Sequence, residues 1–269
     1  MRLICGGNTL PFDPKFSVSK KLADELKWFQ QVFEKLGPSL YDFLHKNNHR
    51  SFPIDLVWEL GRQILESVVF MHDLHLIHTD LKPENILLLS SEYVKIPDCK
   101  FLSQSRKDGS FLKNLPRSSA IELIDFGSTT FENQDHSYIV STQHYHAPDF
   151  ILGLGWNYPC DLWSVSCILV ELRSGEALFQ IHENLEHLAM MERVLGPLPR
   201  HMALKADHHA EKYFRKGCTI GLARWCNFKR KHECSLEIAM SAEPNNATSR
   251  DALRHLFFAR DLTLCDYPF

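Results

Sequence analysis

Two short runs hold the side chains that this 269-residue sequence spaces for joint chemistry. The first is Ile77-His78-Thr79-Asp80-Leu81-Lys82-Pro83-Glu84-Asn85; about forty residues later comes Asp125-Phe126-Gly127. Asp80 offers a carboxylate that can orient a hydroxyl and accept its proton, Lys82 a cation beside a transferred phosphate, and Asn85 with Asp125 hard oxygen ligands for Mg2+. Phosphoryl transfer needs this set, because positioning and charge neutralisation supply nearly all of its catalysis. Gly127 permits a backbone turn after the metal ligand. Asp-Phe-Gly alone is common by chance, whereas His-x-Asp-x-Lys-x-x-Asn ahead of it is far more specific. The plainer reading makes Asp80 and Lys82 an inherited scaffold loop whose His78 and Leu81 mainly pack, and Asp125 a loop carboxylate without metal.

The flanking periodicities predict the elements that must hold these groups. Apolar residues at Ile54, Val57, Leu60, Ile64, Leu65, Val68 and Met71 recur at helical spacing, with Ser51 and Pro53 as start signals, so a long buried helix over Pro53–Asp73 precedes the loop Leu76–Asn85. Ile86–Leu89, Tyr93–Ile96 and Ala120–Ile124 read as short strands around a polar insertion at Pro97–Ser119. Tyr158–Ser174 and Leu185–Leu195 read as further helices.

Composition sets the frame. Hydrophobic residues make up 44% of the chain, enough for a core, and a net charge of -3 gives no general attraction to nucleic acid or to an acidic membrane. No apolar run reaches the roughly 18 to 20 residues of a membrane span, and the start, Met1-Arg2-Leu3-Ile4-Cys5, lacks a signal-like stretch. Eight cysteines without a paired framework suit a reducing compartment. The basic run Arg224–His232 reads as solvated surface before nuclear address or nucleic-acid contact, and Cys226, His232 and Cys234 fit no compact zinc finger. The sequon Asn246-Ala247-Thr248 carries no weight inside a cell.

Glu186-His187-Leu188-Ala189-Met190-Met191-Glu192-Arg193, followed by Val194-Leu195-Gly196-Pro197, resembles the signature of the LAMMER family of protein kinases, CDC2-like and dual-specificity, and Thr79, where most kinases have Arg, fits the same family. The similarity runs from about Val32 to Tyr213 and looks nearest to plant members. It implies an α+β protein-kinase fold, mainly the helical large lobe, with residues 1–31 a small-lobe remnant, 32–217 the hinge and large lobe, and 218–269 a divergent end. It also implies ATP and Mg2+ as cofactors, and transfer to Ser, Thr or Tyr of proteins, Arg/Ser-rich splicing factors among them, in the nucleus and also the cytoplasm. Neither membrane nor direct nucleic-acid binding is implied. By the same resemblance, Glu34 and Leu36 would meet the adenine with their backbones, Phe33 would stand behind it and Leu87 beneath. Asp161 would cap the catalytic-loop backbone, and Thr142 would bond Asp80 beside the substrate.

Departures from the family pattern pull the other way. Residues 1–31 hold no Gly-x-Gly-x-x-Gly and no Val-Ala-x-Lys strand; Lys15, Lys20, Lys21 and Lys27 stand in polar contexts, and Ser19–Phe33 reads as a charged amphipathic helix. Ala247–Asp251 runs directly into Ala252–Arg260, as though a large-lobe segment with its Arg were absent. Ala147-Pro148-Asp149 replaces Ala-Pro-Glu, and Gln143, His146 and Ser166 stand where the family has Arg, Arg and Gly. Three readings therefore remain open: a working kinase, a pseudokinase that binds the same partners, and an inert truncated product.

Overall fold

The structure, a computed structural model, describes residues 36–97, 112–134, 142–180, 183–215, 219–220 and 248–254. The expectations for Phe33, Glu34, Ser19–Phe33 and its neighbouring lysines, Arg224–His232, Cys226, His232 and Cys234 lie outside these residues.

The described part is mainly helical with small antiparallel pairs, as the expected α+β class requires. Helix α1 spans Leu40–Lys46, with the Ser39 hydroxyl accepting from the Asp42 amide at 3.0 Å as N-cap. Helix α2 spans Ile54–Asp73 and buries Val57, Leu60, Ile64, Leu65, Val68 and Met71, six of the seven positions that the periodicity marks; Ile54, at its first turn, is exposed. Three short helices, α3 (Pro148–Leu152), α6 (Arg200–Lys205) and α7 (Ser249–Arg254), and the longer α4 (Pro159–Ser174) and α5 (Asn184–Leu195) complete the set. Helix α4 starts with Pro159 at its first turn and ends at Gly175 in the left-handed region, and every residue from Cys160 to Leu172 is buried. A helix enclosed on all sides is a central one. It packs against α2, and the contact holds much of the core. Each buried Leu, Ile or Val along it contributes on the order of 1.5–3 kcal/mol.

Four two-stranded antiparallel pairs surround this core among the described residues. Strand β1 (Leu76–Ile77) pairs with β6 (Thr130–Phe131), β2 (Ile86–Leu88) with β5 (Ile121–Leu123), β3 (Tyr93–Pro97) with β4 (Leu112–Pro116), and β7 (Phe214–Arg215) with β8 (Thr219–Ile220). The insertion after Pro97 thus contains a strand where the sequence predicts only a polar stretch. Leu112-Lys113-Asn114-Leu115-Pro116 lacks strand-like alternation because its ribbon lies on the surface and is held by outside bonds. Asn47 donates to the Asn114 carbonyl at 2.9 Å and accepts from its amide at 2.8 Å. Such a pinned ribbon needs no apolar face.

Two glycines with positive φ test the packing. At Gly175 (φ 90°) an added Cβ would run into the His49 carbonyl, while at Gly155 (φ 80°) it would meet open space. Gly155→Ala should therefore lose only the left-handed backbone cost of about 1–2 kcal/mol, and Gly175→Ala clearly more. Urea unfolding of both variants measures the difference, and equal losses would contradict the packing described.

Candidate active site

One carboxylate places the catalytic loop. Asp161, in the first turn of α4 and 1% exposed, accepts from the His78 amide through Oδ2 and from the Thr79 amide through Oδ1, both at 2.9 Å. His72, at the end of α2, lies 3.0 Å from the same Oδ2 through Nε2. Charge-assisted bonds of this kind are about twice as strong as neutral ones. They hold Thr79 at φ 70°, where a β-branched residue is an outlier. The imidazole of His78 is fully buried, and it does more than pack: Nδ1 accepts from the Asp80 amide at 3.4 Å while Nε2 faces the Ile124 carbonyl at 3.1 Å. Those partners assign the proton to Nε2.

From this fixed point the loop delivers Asp80, Lys82 and Asn85 to one place. Asp80 Oδ2 accepts from Lys82 Nζ at 2.7 Å, and Oδ1 accepts from both the amide (3.1 Å) and the hydroxyl (3.0 Å) of Thr142. Lys82 also donates to Thr142 Oγ1 at 3.0 Å. Asn85 donates to the Asp80 carbonyl at 2.9 Å from the short 3-10 turn Pro83–Asn85. The side chains of Asp80 and Lys82 are 15% and 20% exposed, so the pair is partly shielded yet within reach of a substrate.

Asp125 arrives by strand pairing. Ile86 lies opposite Leu123, and the Ile124 amide donates to the Asn85 carbonyl at 2.9 Å, which brings the residue after Ile124 alongside Asn85. Asp125 itself is exposed, left-handed (φ 63°, ψ 63°), and enters a 3-10 turn over Phe126–Ser128, whose ring Phe126 packs on His78 with centroids 5.4 Å apart. A Cβ on Gly127 would stand 3.3 Å from Asp125 Oδ1, so a larger residue crowds the carboxylate. Because Asn85 commits its amide nitrogen to Asp80, its carbonyl oxygen is the end left for a cation. That oxygen and the exposed carboxylate form a hard donor pair suited to Mg2+ with phosphate oxygens completing the shell. Among the described residues no group of three or more His, Cys, Asp or Glu forms a metal site, so protein ligands alone do not make a cage.

At the other edge, Leu36 is half-buried and leads into Gly37, whose amide donates to the Leu88 carbonyl at 2.8 Å; a Cβ there would stand 2.7 Å from that oxygen. Ser39 bridges to Leu87, which is half-buried in β2. Leu36 and Leu87 thus sit on neighbouring segments beside the loop, while Phe33 and Glu34 are outside the described residues.

Several groups that bear on the site escape sequence reading. Glu171, in α4, accepts from the Tyr145 hydroxyl at 2.7 Å; burial pushes its carboxyl up to about 7, the Tyr145 bond opposes this, and Glu84 adds to it. Glu84 Oε2 is buried without a partner. No sequence spacing links positions 84 and 171. His187, inside the LAMMER-like stretch, is fully buried with neither ring nitrogen bonded, and burial, with His146 and His144 nearby, lowers it to about 3. Asp149 is half-buried and pushed up to about 6 by burial, and no ion pair to it forms among the described residues. Gln143 bonds Asn184 at 3.1 Å, and Ser166 turns its hydroxyl back to the Leu162 carbonyl at 3.0 Å. Burial also raises the thiols of Cys160 and Cys167, which are free and unsuited to reaction.

A model of the protein kinase domain family matches residues 25–240. The serine/threonine-protein kinase AFC1 of Arabidopsis thaliana is 71% identical over 223 residues, covering 83% of this chain and 43% of the relative. AFC2 of the same plant is 58% identical over 253 residues, covering 85% of this chain and 59% of the relative. The chain therefore spans about half the length of these curated relatives. Among solved structures, the kinase domain of PF14_0431 superimposes with a TM-score of 0.72 at 31% identity, covering 85% of this chain and 72% of that one.

The Glu171 carboxyl predicts a pH effect. Folded, it keeps up to about pH 7 a proton that the unfolded chain releases above about 4.5. Its contribution to stability is therefore complete below about pH 4.5 and is lost as pH rises toward 7, by about 3 kcal/mol. Glu171→Gln, which can still accept from Tyr145, should flatten that decline in urea-unfolding series across this range. Identical slopes in the two proteins would refute the assignment.

Proposed function

The chain belongs to the protein kinase family, in its LAMMER-type branch, and from that premise we propose that it transfers the γ-phosphate of ATP to Ser or Thr, and in some contexts Tyr, of Arg/Ser-rich proteins such as splicing factors. The carrying observation is Asp80, whose two oxygens are held by Thr142 and Lys82. A hydroxyl entering beside Thr142 would donate to Asp80, which aligns the oxygen and takes the proton as the oxygen turns nucleophilic. Lys82, already in contact with Asp80, places positive charge where the phosphoryl group passes. Asn85 and Asp125 would hold Mg2+, which bridges the phosphates and offsets their charge.

Glu84 supports a basic substrate. It lies four residues after Asp80 on the same loop, and its unpartnered buried oxygen would be satisfied by an arginine beside the acceptor Ser. The nucleus, with the cytoplasm beside it, is the compartment such substrates imply. Among the described residues no helix is long and apolar enough to cross a membrane, and the reading takes proteins as its partners, without direct nucleic-acid contact.

Incubation of the 269-residue chain with Mg2+, ATP and an Arg/Ser-repeat peptide tests it. Phosphate incorporation should fall by about 100-fold or more in Asp80→Asn, and should weaken when the flanking arginines become alanine. Peptide binding without incorporation would favour a pseudokinase that holds the same partners. A chain with no cooperative melting transition would be an inert product.

A further inference from the structure

We propose that Thr79 and Ser128 are positioning residues, a tether that ties the turn carrying Asp125 to the catalytic loop and thereby sets where Asp125 holds a divalent cation. The turn is fastened at both ends. Before Asp125, Ile124 is held by its amide on the Asn85 carbonyl (2.9 Å) and by its carbonyl facing His78 Nε2 (3.1 Å). After it, the Thr79 hydroxyl donates to the Ser128 carbonyl at 3.1 Å, and the Ser128 hydroxyl returns a 3.4 Å bond to the His78 carbonyl.

Both fastenings reach the dipeptide His78-Thr79, whose amides are fixed by Asp161, and the first also rests on Asn85. Asp125 hangs between them. Its carboxylate makes no hydrogen bond or ion pair with the described residues, so backbone position alone aims it. Thr79 is 2% exposed and left-handed, a conformation that a β-branched residue keeps only where its surroundings over-determine it. Its amide on Asp161 and its hydroxyl on Ser128 are those surroundings. Cutting the hydroxyl bond leaves the Asp161 clamp intact, because that clamp holds His78 and Thr79 by their amides alone. Beyond Asp125 the turn then keeps the 3.4 Å Ser128 bond and, two residues further on, the pairing of Thr130 with Ile77, so the segment Asp125–Ser128 gains freedom about Ile124.

Thr79→Val removes the hydroxyl while keeping shape and β-branching, and Thr79→Ser restores it. The proposal rests on the kinase reading only in taking Mg-ATP as the probe. In the full 269-residue chain, calorimetry should show that the gain in ATP affinity on replacing EDTA with Mg2+ falls about fivefold in Thr79→Val, the effect of one hydrogen bond, while affinity in EDTA stays unchanged. Amides of Gly127, Ser128 and Thr129 should exchange with deuterium about fivefold faster, and Thr79→Ser should recover both readouts. Unchanged exchange and metal gain in Thr79→Val, equal losses with and without Mg2+, or no rescue by Ser would overturn the proposal. If wild type binds no ATP, the kinase reading fails, and the tether stands or falls on exchange alone. Should Thr79→Val not fold, Ser128→Ala, which removes the return bond, must show the same faster exchange in the turn or the tether is rejected.

Discussion

The geometry of the reactive loop depends on a carboxylate that never meets a substrate. Asp161 sits at the start of an enclosed helix and uses both oxygens to hold two successive peptide groups, with His72 closing on one of them. Burying a carboxylate this deeply is costly unless its lone pairs are filled, and here main-chain donors and an imidazole fill them. The strain at Thr79, the two-sided bonding of His78 and the convergence of Asp80, Lys82 and Asn85 all follow from that anchor. Core and chemistry are thus linked through a single side chain, since the helix that carries Asp161 is also the centre of the hydrophobic packing.

A second layer is electrostatic. Asp80 lies among donors, with Lys82 and Thr142 on its oxygens, whereas among the described residues the Glu171 carboxyl accepts only from Tyr145 and feels the charge of Glu84, whose Oε2 is buried without a partner. Burial in the second arrangement pushes the Glu171 carboxyl up to about 7. The loop and its supporting helix thus carry two acidic environments of opposite character, one rich in donors around Asp80 and one desolvated around Glu171.

Much of this is legible in the sequence. Helical spacing located α2 to within a residue, and the stretch Tyr158–Ser174 read as the helix that the structure begins at Pro159, because those signals are local and repeat. The order His-x-Asp-x-Lys-x-x-Asn placed three functional groups that the fold does bring together. What stayed hidden depends on distance along the chain. His72 and Asp161 are 89 positions apart, Tyr145 and Glu171 are 26 apart, and the Thr79 hydroxyl finds a carbonyl 49 residues on. The strand at Leu112–Pro116 was missed for a different reason, since a surface ribbon held by Asn47 carries no apolar alternation to detect.

The Asp161 anchor grips peptide groups and ignores the side chains attached to them, which gives the two ends of the contact different evolutionary freedom. Position 161 cannot drift, because only a carboxylate on that short stem accepts both amides at once. Position 79 can change its side chain without loosening the grip, and so is open to being recruited for a new task while the loop around it stays in place.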